Sequence, residues 1–523
     1  MLGINRDNTL KTVSHWHSFK LMLVLEGICV GALSGLVVVA YRFILEKAGI
    51  LSKGIYSFLK HDYYYLPVWI IALIIMAFAV GLIIRKQPMT KGSGIPQVEG
   101  VLLRQLDMNW LKVLAGKFAG GILCIAGGLS LGREGPSIQL GAATGQGFAA
   151  LLKRPKIEEK FIITGGASAG LAAAFNAPLS GVIFALEEVH KNFSPLILLT
   201  ATSSAITADV ISKEFFGMKP VLNFPQMQVV PLDNYLYLIF LGIILGIFGV
   251  LFNYVLVKTQ KLYEYLSFIP AHFRVIIPFL IAIIPGLFLN EIQGGGHDLI
   301  VSLVKKDYLL QMLLLILIAK FLFTMISFGS GAPGGIFLPM LAIGALTGKI
   351  YGVSMGYIFH LNPEYVNNFI VLAMAGYFTA VVRAPITGIV LVTEMTGSFS
   401  HLLSVSIVCI IAYLTADIMK SKPVYEILLE RILHDKGDSA FKGDEAVKVV
   451  LEVPVSMGAS LEGKMIKEVK WPENCLLVGI RRGSEDIIPN GNTRIYAGDY
   501  IIALVDEKRA PRVKRKLIKM GSI

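Results

Sequence analysis

Three glycine- and proline-rich segments of the chain carry residue types that suit anion chemistry. Residues 92–96 are Gly-Ser-Gly-Ile-Pro, residues 132–136 are Gly-Arg-Glu-Gly-Pro, and residues 334–339 are Gly-Gly-Ile-Phe-Leu-Pro. In each, glycine precedes a helix-like run, where free N–H groups and the positive end of the helix dipole attract an anion without a full positive charge. A pore needs that compromise, because a buried lysine would hold the anion too tightly. The segments therefore predict an anion site.

The acid in the second segment, Glu134, adds a proton to this chemistry. Its carboxylate is itself an anion and can occupy an anion position, and protonation neutralises it and releases that position. A proton and an anion then compete for one place. Acids inside membrane segments are functional candidates by default, although a simple ion pair between Glu134 and Arg133 is the structural alternative. Ser93, in the first segment, offers a hydroxyl donor to an anion or an ordinary helix N-cap.

The elements that must position these residues are membrane helices. The 523 residues are 54% hydrophobic and only 16% charged, with a mean hydropathy of +0.66, whereas soluble domains have about 25% charged residues. Residues 63–84 and 234–257 carry no charge and are long enough to span a bilayer. The charge-free runs 275–290 and 402–416 are shorter. The sequence therefore predicts an all-α polytopic membrane protein.

Basic residues indicate how the membrane region is oriented. Residues 1–20 are polar and basic, and the apolar stretch that begins at Leu21 has no small-residue cleavage site. We therefore expect a first membrane helix there and not a signal peptide. The basic tail and the pair Arg85 and Lys86 favour a cytosolic face at those points. We expect a multi-pass protein of the cell membrane with its N-terminus and C-terminal domain in the cytosol.

Other function classes are disfavoured by what the chain carries. The net charge of +12 is not accompanied by an aromatic and basic platform, so nucleic acid is not an expected partner. The nine histidines and four cysteines show no metal-ligand spacing, and no nucleophile–base pair is evident. We expect no metal site and no catalytic residue, and therefore not an enzyme.

An internal repeat relates the two halves of the membrane region. Its matched positions are Gly132 with Gly335, Pro136 with Pro339, and segment 141–145 with 344–348, all 203 residues apart, and segment 177–181 with 384–388, 207 residues apart. The membrane region is therefore predicted to be two copies of one unit, and such transporters commonly place the substrate between the copies. Position 134 corresponds to Phe337, so the acid occurs in one copy only.

The chain becomes soluble in character near residue 434. We place the membrane region at 21–433, a polar linker at 434–445 and a small α/β domain at 446–523. The expected elements of that domain are strands at 446–455, 475–480, 486–488 and 500–505, a short helix at 460–468, and a basic helix at 508–519 with Pro511 in its first turn.

The three segments and the repeat resemble the signature of the CLC family of chloride channels and proton/chloride exchangers, in the family's order. The resemblance covers nearly the whole membrane region and implies the CLC fold, with two inverted repeats and a homodimer in which each subunit has its own anion path. It implies that chloride is the bound substrate. The residues that it assigns to the anion site are Ser93, Gly94, Arg133, Gly135, the backbone of Ile336 and Phe337, and the hydroxyl of Tyr425.

The same resemblance assigns two acids to proton handling. Glu134 matches the family's external gating glutamate, and Glu188 matches its internal proton glutamate. Position 188 corresponds to Met395 in the second copy, so this acid too occurs once. Because both acids are present, we expect a proton-coupled chloride antiporter, and a passive voltage- or ligand-gated chloride channel is the alternative. From the residues alone, Glu188 and its neighbour Glu187 equally suit a structural helix end, and Tyr425 an interfacial anchor.

The resemblance also bears on which anion is moved. Nitrate-preferring relatives often carry proline at the position of Ser93, so the serine favours chloride. Fluoride-selective members depart from the pattern of serine and tyrosine that Ser93 and Tyr425 keep. Chloride is therefore the expected substrate.

The C-terminal domain resembles a TrkA-C (RCK C-terminal) domain. The resemblance rests on Gly-Ala-Ser-Leu-Glu-Gly at 458–463, Ile-Arg-Arg-Gly at 480–483 and Ile-Pro-Asn-Gly at 488–491. Such domains usually dimerise and regulate transport, and some bind a nucleotide such as cyclic di-AMP. Arg481, Arg482 and Asn490 are the candidate contacts, and a dimerising cap without a ligand is the alternative. A sensor whose main output is signalling is a further alternative for the whole chain, supported by nothing beyond this domain.

Overall fold

The computed structural model describes residues 6–191, 193–222, 224, 228–436, 448–483, 485–506 and 509–522. Within these residues the chain divides into two compact units. The first, the membrane unit, lies within 1–99 and 108–429, and the second lies within 100–107 and 430–523. The predicted linker falls mostly on residues 437–447, which are outside the described residues, so the predicted domain boundaries stay predictions.

Helices make up the first unit, and the helices at 95–102 and 424–436 continue into the residues of the second unit. In chain order they are α1 (Arg6–His61), α2 (Leu66–Lys86), α3 (Ile95–Leu102), α4 (Trp110–Ala126), α5 (Glu134–Leu151), α6 (Lys156–Phe175), α7 (Pro178–Phe184), α8 (Pro195–Phe216), α9 (Tyr235–Tyr265), α10 (Ile276–Ile281), α11 (Ile283–Phe288), α12 (His297–Lys305), α13 (Leu310–Gly329), α14 (Phe337–Phe359), α15 (Val366–Val382), α16 (Pro385–Thr396), α17 (Leu402–Ile418) and α18 (Val424–Lys436). A π-helical turn, Ala185–His190, follows α7.

Eight of the described helices are long and apolar enough to cross a membrane: α1, α2, α8, α9, α13, α14, α15 and α17. The apolar stretch that begins at Leu21 is part of α1, which continues to His61 and is longer than the roughly 20 residues that a bilayer span needs. The shorter charge-free run at 275–290 does not form one helix. It forms α10 and α11, each of six residues, with Pro278 and Pro285 near their starts, where proline is tolerated.

Two equivalent glutamates, one in each repeat copy, make the same kind of contact with the other copy. Glu187 accepts a 2.7 Å hydrogen bond from the backbone N–H of Thr387, in the first turn of α16. Glu394 accepts a 2.7 Å hydrogen bond from the backbone N–H of Ser180, in the first turn of α7. Both pairs are related by the 207-residue offset. Each copy therefore caps a helix start of the other, as an approximate two-fold relation requires, and the contacts of Glu187 are structural.

The second unit contains an antiparallel sheet of strands β1 (Lys448–Pro454), β2 (Cys475–Arg482), β3 (Glu485–Ile487) and β4 (Tyr500–Asp506), in the order β1-β4-β2-β3, and helix α19 (Ala510–Gly521). Apolar side chains of β1 and β4 pack with one face of α19. The buried members of that core are Val449, Leu451, Val453, Ala503, Val505, Ala510, Val513 and Leu517.

One predicted element of this unit is wrong. The expected helix at 460–468 is only a single 3-10 turn at Ile466–Glu468. Gly463 adopts a positive φ of 78°, which interrupts a helix, and Met465 instead forms a β-bridge with Arg494. The basic helix was correctly expected, and Pro511 lies in its first turn.

Candidate functional site

The three glycine-rich segments meet through backbone hydrogen bonds. Gly132 N–H donates to the carbonyl of Gly335 at 2.7 Å, and Gly335 N–H donates to that of Gly132 at 2.8 Å. These two residues are equivalent in the repeat. Gly92 N–H donates to Gly331 O at 3.1 Å, and Gly334 N–H donates to Gly92 O at 3.0 Å. Segments that lie up to 242 positions apart in the chain (334 − 92) therefore form one cluster of turns.

Close backbone approach explains the glycines of this cluster. A Cβ atom on Gly135 would lie 2.3 Å from the hydroxyl oxygen of Ser93. A Cβ atom on Gly335 would lie 3.1 Å from the backbone nitrogen of Gly135. Gly94 has a positive φ of 99°, which disfavours other residues. Any larger residue at position 135 would push the second segment away from the first.

Helix starts converge on the cluster. Helix α3 begins at Ile95, α5 begins at Glu134, and α14 begins at Phe337 directly after Ile336. The first N–H groups of a helix have no intrahelical acceptor. The amides of Ile336 and Phe337, which are both fully buried, are therefore available to an anion.

Two buried hydroxyl groups belong to the same region. Ser93 is 2% exposed and Tyr425 is fully buried, and neither hydroxyl has a hydrogen-bond partner among the described residues. Ser93 does not act as a side-chain N-cap of α3. The ring of Tyr425 is edge-on to that of Phe184, with 6.4 Å between the ring centroids. The ring centroids of Phe184 and Phe337 are 5.8 Å apart. Buried polar groups without partners are rare in folded proteins, so these two fit donors to a bound anion.

Glu134 is fully buried in the cluster, and neither carboxylate oxygen has a hydrogen-bond partner of normal geometry among the described residues. A Cβ on Gly132 would lie 2.3 Å from Oε2 of Glu134 and 3.3 Å from the backbone nitrogen of Leu338. The carboxylate is therefore close to the start of α14. It does not form the alternative ion pair with Arg133, whose guanidinium bonds to Glu46 at 2.8 Å.

Arg133 lines a cavity of about 550 Å³ that also reaches Leu338. Basic and acidic side chains share its wall. The charged or titratable lining residues are Arg42, Glu46, Lys53, Arg133, Lys219, Glu291, His297 and Asp298. The backbone of Arg133 thus belongs to the turn cluster, while its side chain lines the cavity beside Glu134.

Glu188 lies in the π-helical turn that follows α7. It is 4% exposed, and its Oε1 has no hydrogen-bond partner among the described residues. Lys191, just after the turn, bonds through Nζ to Glu99 Oε1 at 2.7 Å. Glu99 is 2% exposed and lies on α3, the helix that follows Ser93. Glu188 therefore has a second buried acid, Glu99, and the lysine Lys191 as neighbours.

Two functional candidates were missed in the sequence. Glu99 could have been found as an acid in a short apolar run. Lys117 could have been found in the same way, as a cation within the apolar helix α4, one turn and a half after Lys112 near the start of that helix. Its Nζ donates to the carbonyl of Gly92 at 2.5 Å, and the equivalent Lys320, 203 positions later, donates to Gly294 at 2.8 Å. Both lysines are fully buried and fix glycine-rich turns.

Comparison with known proteins decides the family. Residues 75–417 match the model of the voltage gated chloride channel family, and residues 450–518 match that of the TrkA-C domain. The chain belongs to the voltage gated chloride channel family. The two predicted resemblances, to CLC proteins and to TrkA-C domains, are confirmed.

Relatives of this CLC chain include named transporters. It is 34% identical over 446 residues to the "H(+)/Cl(-) exchange transporter ClcA" of Yersinia pestis bv. Antiqua, covering 82% of this chain and 90% of the relative. It is 35% identical over 428 residues to the protein of the same name from Vibrio cholerae serotype O1, covering 78% and 89%.

Solved CLC structures share the fold. The crystal structure of a slow cyanobacterial Cl⁻/H⁺ antiporter has a TM-score of 0.73 and 29% identity, covering 79% of this chain and 98% of that one. A CLC-type fluoride/proton antiporter has a TM-score of 0.63 and 26% identity, covering 75% and 95%. The predicted CLC fold, with an added small sheet domain, is confirmed.

In the TrkA-C domain of this CLC chain, the candidate ligand residues make contacts within the domain. Arg482 donates two 2.8 Å hydrogen bonds to the carboxylate of Asp499. Arg481 pairs with Glu452 at 3.6 Å, and the side-chain oxygen of Asn490 accepts a hydrogen bond from a backbone N–H within its own turn. Their role in ligand binding stays a prediction.

Asp499 is 1% exposed and belongs to the turn before β4. Burial by itself would raise the pKa of this carboxyl, but the hydrogen bonds from Arg482 and from the backbone N–H of Tyr496 hold its pKa below the usual value. The pair ties the end of β2 to the start of β4.

Proposed function

We propose that the chain exchanges chloride for protons across the cell membrane. The observation that carries the proposal is the buried carboxyl group of Glu134, without a protein partner, close to the helix start of α14. The names of the relatives from Yersinia pestis and Vibrio cholerae support it.

The anion path uses donors that carry no full charge. The hydroxyls of Ser93 and Tyr425 and the amides of Ile336 and Phe337 bind chloride, and Gly94 and Gly135 let the backbone approach it. Uncharged donors in a dry site attract an anion yet release it. Arg133 lines the neighbouring cavity, where its positive charge attracts anions without binding them tightly.

The carboxyl group of Glu134 binds the proton, and its charged form occupies an anion position that chloride also uses. As a carboxylate, it takes an anion position near the amides of α14. As a neutral acid, it leaves that position to chloride. Because binding of the proton and departure of the carboxylate are one event, each proton that enters is linked to movement of an anion.

Glu188 exchanges the proton with the inner solution. It is buried and has a carboxyl oxygen without a partner, as an acid that gains and loses a proton requires. Phe337 and Met395 occupy the equivalent positions of the other copy, so the proton route is confined to one copy while the fold is repeated.

Chloride is the proposed anion over nitrate and fluoride. The chain keeps Ser93 and Tyr425, and both place a neutral O–H donor in the buried region. The fold shared with a fluoride/proton antiporter supports proton coupling and does not bear on the choice of anion.

The proposed assembly is a homodimer in the cell membrane, with one path in each subunit. The N-terminus and the TrkA-C domain face the cytosol, and the domain regulates transport. A nucleotide such as cyclic di-AMP is its candidate ligand, and Arg481, Arg482 and Asn490 are the candidate contacts. Titration of the purified chain with cyclic di-AMP, followed by flux measurement, tests this part.

The direct test uses liposomes that contain the purified chain and an outward chloride gradient. An exchanger lets chloride leave while protons enter, even against a modest opposing pH gradient. A pH-sensitive dye inside the vesicles reports that movement. Chloride efflux without proton uptake would contradict exchange and indicate the passive channel.

A further inference from the structure

An ion pair joins α3, the helix that follows Ser93, to the residue directly after the π-helical turn that holds Glu188. Lys191 lies directly after the π-helical turn that holds Glu188, in a left-handed conformation with φ of 55°. Its Nζ reaches Glu99 on α3 at 2.7 Å. Glu99 is 2% exposed, whereas the Lys191 side chain is 35% exposed. The lysine therefore connects a buried carboxylate with the solvent.

The surrounding charges are mostly negative. The groups whose charges act on Glu188 are Lys191, Glu99, Glu187 and Glu426. Glu187 is committed to the first turn of α16 through two backbone N–H groups and a hydroxyl. Lys191 is the one cation among these four groups, and the acid that it contacts, Glu99, is buried, as Glu188 is. Two nearby buried carboxyls cannot both ionise unless a positive charge compensates one of them.

We propose that Lys191 is a positioning residue that lets Glu188 give its proton to, and take it from, the inner solution. By pairing with Glu99, it keeps that acid ionised, so that Glu188 is the only buried carboxyl of the cluster that gains and loses a proton. This inference rests on the proposed exchange of chloride for protons. It adds a residue and an electrostatic role that the family signature does not contain.

The charge balance gives the direction of the effect. Without Lys191, the acids of the cluster bind a proton more tightly, and its release to the inner solution slows. Chloride does not bind at Lys191 in this account, so chloride movement continues. Proton flux and chloride flux should therefore separate.

The test measures both fluxes in liposomes with Lys191→Met, Lys191→Arg and the double variant Lys191→Met/Glu99→Gln, at several internal pH values. Lys191→Met should lower proton flux about tenfold and raise the internal pH of half-maximal proton flux by about one unit, the size of effect expected from one adjacent charge. Lys191→Arg keeps the charge and should retain coupling. The double variant removes the acid that the lysine balances and should restore proton flux.

The outcomes separate this inference from the proposed exchange. Unchanged coupling and pH dependence in Lys191→Met would contradict the role of Lys191 alone. So would a parallel loss of both fluxes that Glu99→Gln does not relieve, because that pattern indicates a structural brace. Absence of proton flux in the unmodified chain would contradict exchange itself. If Lys191→Met does not fold, Glu99→Gln alone decides, since it should shift the pH profile in the opposite direction.

Discussion

Glu134 is the one acid of the described membrane unit whose two carboxylate oxygens are both buried without a hydrogen-bond partner. It opens α5, is fully buried, and lies near the backbone nitrogen of Leu338. Arg133, the adjacent cation, is engaged by Glu46. The carboxyl group therefore has no permanent cation to hold it ionised, which allows its charge to change during transport.

Replacement of Glu134 by glutamine should remove proton coupling and leave chloride flux. Glutamine is neutral and similar in shape, so it resembles the protonated acid permanently. Chloride and proton fluxes in liposomes measure the effect, and Glu364→Gln, at an exposed acid, is the matched control. Coupled proton movement that persists in Glu134→Gln would rule out this role for the acid.

At the scale of elements, a glutamate of each repeat copy caps the start of a helix in the other copy. Glu187 and Glu394 each accept three hydrogen bonds from the first turn of a helix in the other copy. These carboxylates accept hydrogen bonds from backbone N–H groups at the starts of α16 and α7. Those N–H groups would otherwise lack a partner.

Alanine at either cap should destabilise the membrane unit by about 1–2 kcal/mol, because partly buried donors lose their acceptor. The two variants should have similar effects, since their contacts are equivalent. Thermal unfolding in detergent measures this, and Glu364→Ala serves as the control. A large difference between Glu187→Ala and Glu394→Ala would contradict the equivalence.

The sheet of the C-terminal domain has an acid-dependent connection between β2 and β4. The pKa of Asp499 is lower in the folded domain than in the unfolded chain. Its contribution to stability is therefore complete above the unfolded value of about 4 and decreases as the pH falls through the lower folded value. Hydrogen exchange of β4 amides in the full chain should show this loss of protection on acidification. Asp499→Asn should remove that part of the pH dependence, and an unchanged acid response would contradict it.

Local sequence signals predicted much of this architecture. The glycine-rich turns and the strands of the small domain depend on residues close together in sequence, and the repeat is visible as a match between segments 203 and 207 positions apart. The contact between Glu99 and Lys191 was not predictable, because 92 positions separate them and only the packing of α3 beside the π-helical turn brings them together (191 − 99). The helix expected at 460–468 failed because Gly463 adopts a positive φ and Met465 pairs with Arg494.

On the scale of the whole molecule, the proposed transport machinery lies within one of two units. Ser93, Glu134, Glu188, Phe337 and Tyr425 all belong to the membrane unit. The TrkA-C domain contributes none of them. Transport and its regulation are therefore expected to be separable.

Deletion of residues 437–523 should leave coupled chloride and proton flux in place while changing its rate or its response to a regulatory ligand. The full chain in the same lipid mixture is the reference. A folded truncated chain that moves no chloride would show that the C-terminal domain is part of the transport machinery, and would favour the sensor alternative.

The reversal potential of the purified chain in liposomes, under opposing chloride and proton gradients, tests exchange most directly. If Glu134 couples the two ions, the potential should depend on both gradients and lie away from the equilibrium potential of chloride. A potential that follows chloride alone, at every pH gradient, would contradict the account.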